Sequence, residues 1–132
     1  MYGTFIFFQY IDEHLGGPET IRECWERSHE NFSYVNDRSY LSIDEALNKQ
    51  NSSLEDAYGR MRVANRIMSS NINAGIYSYE EADEYPIEKP KIEKYITYNI
   101  GDYENYANSE LYLLSSHYIE LESESPVKIT LN

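Results

Sequence analysis

Apolar residues in the first part of the chain recur at helical spacing. Phe5, Phe8, Ile11 and Leu15, with Tyr2 and Ile6 beside them, predict a helix buried on most sides and stopped by Gly16-Gly17. Pro18 suits the first turn of a second helix, where its missing donor has no intrahelical acceptor to lose. Ile21, Cys24, Trp25, Ser28 and Phe32 mark one face of that helix, so Gly16-Gly17-Pro18 reads as a tight corner between antiparallel helices. A polar, aromatic-dotted loop runs on through Tyr40. Ser42 followed three residues later by Glu45 has the form of a capping box, and Ile43, Ala46 and Leu47 give a short third helix its apolar face. Ser52 and Glu55 repeat the device. Leu54, Ala57, Tyr58, Met61, Ala64, Asn65 and Met68 then follow helical spacing, with Arg60, Arg62 and Arg66 toward solvent or at the margins.

Past this point the period is lost and then changes. Residues 71–91 are rich in Asn, Gly, Tyr and Glu, and Pro86 and Pro90 favour an extended, irregular connection hugging the helices. Beyond it the period is two. Ile96, Tyr98 and Ile100 alternate with Tyr95, Thr97 and Asn99; His117, Ile119 and Leu121 follow, then Val127, Ile129 and Leu131. SESP at 123–126 supplies a turn between the last two strands. The reading is a single domain over 1–132 of class α+β: a helical subdomain of about four helices (1–70), the connection (71–91), and a β-rich tail (92–132) forming a small antiparallel sheet. Its expected core is Phe5, Phe8, Ile11, Cys24, Trp25, Leu47, Leu54, Tyr58 and Met61.

Charge narrows the partners. The 132 residues carry 23 acidic and 11 basic side chains, a formal net charge of -12, which opposes binding to phosphate backbones and anionic membranes. Nucleic acid is therefore not an expected partner. The acid is uneven: residues 1–78 hold 11 acidic and 7 basic side chains, residues 79–132 hold 12 and 4. No stretch approaches the roughly 20 apolar residues of a membrane span, so no membrane insertion is expected. The run Phe5 to Phe8 lacks the basic flank and cleavage site of a signal peptide. If the protein is exported, its signal is expected upstream of Met1, in a longer product. The single cysteine, Cys24, excludes an internal disulfide and fits either a cytosolic or a disulfide-free secreted protein.

Candidate chemistry is sparse. A zinc-protease helix needs two histidines four apart with a glutamate between them, but His29-Glu30 is followed by Asn31, Phe32 and Ser33. His14 and His117 read as surface or structural residues. Cys24 has His14 and His29 on neighbouring predicted turns, yet nothing in the sequence marks its thiol as activated. Asp102, Glu104, Asn108 and Glu110 offer oxygens without the glycine or spacing of an EF-hand loop. Asn31-Phe32-Ser33 and Asn51-Ser52-Ser53 have sequon form. The fourteen tyrosines cluster partly in residues 77–118, and Tyr77, Tyr79, Tyr85, Tyr95 and Tyr98 make a candidate binding surface for a protein or glycan. Their alternative role is to cover the seam between helices and sheet.

The succession YGTFIFFQYIDEHLGG, IRECWERS, SIDEALNKQNSSLEDAYGRMRVANRIMS, a tyrosine-rich stretch ending in EADEYP, and the final SSHYIELESESPVKITLN resembles the region downstream of the zinc site in a family of secreted bacterial metalloproteases of the HExxH, gluzincin-like type. The likeness spans nearly the whole chain, although every matched element is a packing or capping signal. The metal-binding helix and its glutamate are missing here, so no catalytic or metal residue carries over. The resemblance implies a non-catalytic C-terminal lobe that scaffolds an upstream catalytic domain and lines the substrate cleft. It also implies an extracellular or cell-surface location, and zinc only in a longer product. Without it, a cytoplasmic protein and a free-standing, acidic, tyrosine-rich protein- or glycan-binding module are the alternatives. The two differ in what they leave uncovered. A lobe exposes an apolar patch where its partner belongs, and a complete module does not.

Overall fold

A computed structural model describes residues 2–32, 39–86, 88–103 and 115–130. Two compact units divide the chain, Met1–Lys89 and Pro90–Asn132.

The first unit holds four helices: α1 (Tyr2–His14), α2 (Gly17–Glu30), α3 (Ser39–Asn48) and α4 (Leu54–Ile67). Two residues, Leu15 and Gly16, separate α1 from α2, with φ +92° at Gly16 and +70° at Gly17. Only glycine adopts that left-handed region at little cost. At Gly16 space is a second constraint: a Cβ there would collide with Thr20 Oγ1 and come within 2.6 Å of Gln50 Cδ. The expected corner is therefore present, with Pro18 in the first turn of α2.

The core lies between α1, α3 and α4. Ile6, Phe7, Tyr10, Ile11, Leu15, Leu47, Ala57, Met61, Ala64 and Met68 are buried together, and Phe8, Ile21, Ile43, Leu54 and Tyr58 pack partly against them. Alanines at 46, 57 and 64 are wholly buried, and their small side chains let the helix backbones approach closely. Two members of the expected core do not belong to it. Phe5 is 61% exposed and Trp25 67% exposed. The buried stripe of α1 instead runs through Phe7, Tyr10 and Ile11, while the buried positions of α2 are Thr20 and Cys24. Small residues at this spacing bring α2 close to its neighbours and turn Trp25 outward.

Both capping signals act differently from the expectation. Ser42 lies inside α3 and is fully buried, accepting a hydrogen bond from Asn31 Nδ2 at 3.2 Å. Glu45 accepts from Asn31 and from Arg27, the latter at 3.0 Å. This pair therefore ties α3 to α2. On α4 the cap is Ser53 rather than Ser52: its Oγ accepts from the Asp56 N–H at 3.1 Å. Ser52 Oγ donates to Asp56 Oδ2 at 2.9 Å, and Asp44 Oδ1 accepts from the Leu54 N–H at 2.7 Å. The first turn of α4 thus has side-chain acceptors from two directions.

After α4, Met68 adopts φ +43°, and the chain continues through 3-10 helices at Ile72–Tyr77, kinked at Gly75, and Ala82–Glu84. This segment hugs the helices, as expected, and contributes to their core: Tyr79 is fully buried and Ala82 is 5% exposed. Three residues of the C-terminal half of α1 fasten it. Tyr10 donates to Ile76 O (2.9 Å), His14 Nε2 lies 2.7 Å from Ser78 O, and Glu13 accepts from the Glu80 N–H (3.0 Å).

The second unit contains β1 (Lys94–Tyr98) and β2 (Ile119–Ser123). They pair in parallel, with Lys94 opposite Ile119 and Ile96 opposite Leu121, which corrects the antiparallel expectation. Parallel neighbours require a crossover of a dozen residues or more, and residues 99–118 give that length. Alternation holds in β1, where Ile96 is buried between exposed Tyr95 and Thr97. A bend at Glu124 and Ser125 follows β2, with Ser123 Oγ donating to Ser125 O and accepting from Ser125 N, but it does not join two strands as expected. Residues 127–130 form no strand, and Val127 and Ile129 are exposed. Leu131, and Glu104, Asn108 and Glu110 of the acidic loop, lie outside the described residues, as do Ser33 and residues 34–38 of the loop before Tyr40.

Candidate interaction face

The outward phase of α1 and α2 assembles an aromatic face. Phe5 and Phe8 are one turn apart on α1, a spacing that makes them surface neighbours. The two-residue corner folds α2 back so that Trp25 stacks on Phe8, with ring centroids 6.4 Å apart and planes 16° from parallel. Phe8 meets Phe7 edge-on at 5.9 Å, and Phe7 reaches Tyr58 at 5.8 Å. A line of rings thus runs from the surface at Trp25 to α4, where the Arg62 guanidinium lies 4.4 Å from the Tyr58 ring centroid. Such contacts hold the exposed rings on a rigid base. Phe32, just beyond α2, is 65% exposed. Beside Trp25, Arg22 pairs with Glu19 and Glu26.

A second cluster is polar and structural. Glu23 accepts from Arg27 Nε at 2.6 Å and also pairs with Lys49, whose hydrogen bond and that of Arg27 hold the carboxyl below its usual range. These residues line a groove of about 380 Å³ along α2, together with Thr20 and Gln50. No nucleophile with an adjacent base lines it.

The five candidate tyrosines are divided between the two units. Tyr77, Tyr79 and Tyr85 belong to the first unit, Tyr95 and Tyr98 to the second. Tyr79 is fully buried, its hydroxyl donating to Asn65 Oδ1 at 2.6 Å. Its ring packs against Tyr10 and Tyr85, at 6.2 and 5.9 Å. Tyr77 and Tyr85 are half-buried, and Tyr85's hydroxyl is buried without a hydrogen-bond partner among the described residues. Tyr95 is 70% exposed and Tyr98 half-buried.

Burial dominates the perturbed titrations. Desolvation pushes the Tyr10 phenol up to about 12 and raises Tyr85 and the Cys24 thiol. A thiol raised in this way is less available as a thiolate. Among the described residues no group of three or more His, Cys, Asp or Glu side chains is placed to hold a metal ion. His14 contacts Ser78, and His117 lies 3.6 Å from Glu93.

Periodicity alone places Trp25 and Phe5 inward. One signal for the opposite phase was already present: Trp25 stands between Arg22 and Glu26 in a helix otherwise dominated by charge. No helix among the described residues is long and apolar enough to cross a membrane. No family model matches this chain, nor does any curated protein or solved structure.

Proposed function

We propose that this chain is a non-catalytic lobe that docks another polypeptide portion on the aromatic face of α1 and α2. The observation that carries the reading is the pair Phe5 and Trp25, 61% and 67% exposed, with Trp25 stacked on Phe8. Rings of this size, locked on a core and left in water, are the anchors that interfaces use. A lobe and a complete module were expected to differ in this feature.

In the specific form suggested by the sequence resemblance, the docked portion is the zinc-bearing part of a secreted metallopeptidase, and this lobe supports the substrate cleft. Capped, tightly connected helices suit that role, because a metal site depends on rigid surroundings. The test is the intact mass and zinc content of the protein purified from its source. The expected result is zinc together with a His-Glu-x-x-His segment, in the same polypeptide or in a stoichiometric partner. Purified material with neither would refute the peptidase form.

A second reading, a protein- or glycan-binding module, draws on the second unit, where Tyr95 and Tyr103 are 70% and 88% exposed. It requires that substitution of Tyr95 abolish binding while Trp25 substitution leaves it intact.

A further inference from the structure

We draw no further inference here: the strongest candidate, the polar groove along α2 beside Lys49 and Gln50, carries nothing, because it is an acidic cluster already ion-paired with Arg22, Arg27 and Lys49 and no second observation in the structure points to a ligand there.

Discussion

Replacing Trp25 by alanine separates the two possible phases of α2. In the structure the side chain is 67% exposed, so about a third of its surface is covered. Taking roughly 250 Å² for a tryptophan, that third is about 80 Å², or about 2 kcal/mol at roughly 25 cal/mol per Å². Alanine's higher helix propensity returns about 0.5 kcal/mol. The expected loss is therefore about 1 to 2 kcal/mol, including the stack on Phe8, against roughly 3 to 5 kcal/mol for truncating a core tryptophan. Because Trp25 is the chain's single tryptophan, unfolding is best followed by far-ultraviolet circular dichroism in urea. Ile11→Ala, at a fully buried site, is the reference and should cost about 2 to 5 kcal/mol. The m-value should not change, since the surface exposed on unfolding is nearly the same. A Trp25→Ala loss equal to or above that of Ile11→Ala would refute the outward phase and, with it, the aromatic face.

Four further outcomes follow from local geometry and burial. Ser53→Ala should destabilise by about 1 kcal/mol through loss of the α4 cap, whereas Glu55→Ala, at an exposed position, should change the urea midpoint by less than about 0.5 kcal/mol; equal losses would restore the Ser52/Glu55 box. Gly16→Ala should lower the melting temperature, since left-handed backbone alone costs about 1 to 2 kcal/mol and the new methyl meets Thr20 and Gln50. Gly59→Ala, within α4 and facing open space, should raise it through a gain of about 0.5 to 1 kcal/mol. Tyr10's folded pKa of about 12 exceeds the ordinary phenol value of 10.0, so its contribution is complete below pH 10 and is lost as pH rises toward 12. The difference is on the order of 2 to 3 kcal/mol. Urea midpoints from pH 9 to 12 should fall less steeply in Tyr10→Phe, and an identical slope would contradict the assignment.

Helix number and the change of period were legible because they depend on spacing alone. Helix phase was not, because α1 carries apolar side chains on nearly every side: Phe5, Ile6, Phe7, Phe8, Tyr10 and Ile11 exceed what one face can hold. Which of them turn inward depends on partners distant in sequence, such as Tyr79 and Ile76. A Ser and a Glu three apart can cap a helix or lie within one. Ser42 lies within because α3 begins earlier, at Ser39, and Asn31 supplies the donor. Strand alternation likewise carries no direction, so β1 and β2 were found but their parallel pairing was not. The aromatic face was hidden for the same reason as the phase: Trp25 looks like a core residue until its neighbours Thr20 and Cys24 take the inner positions.

Docking on the aromatic face requires that Trp25 be covered in the working protein. Its most direct test replaces Trp25 with a benzophenone amino acid in the source organism, irradiates, and maps the adducts by mass spectrometry, with the same substitution at Tyr95 for comparison. Adducts are expected from position 25 at one defined segment of a polypeptide bearing the zinc motif. Adducts arising at position 95 but not at position 25 would contradict this docking and move binding to the second unit.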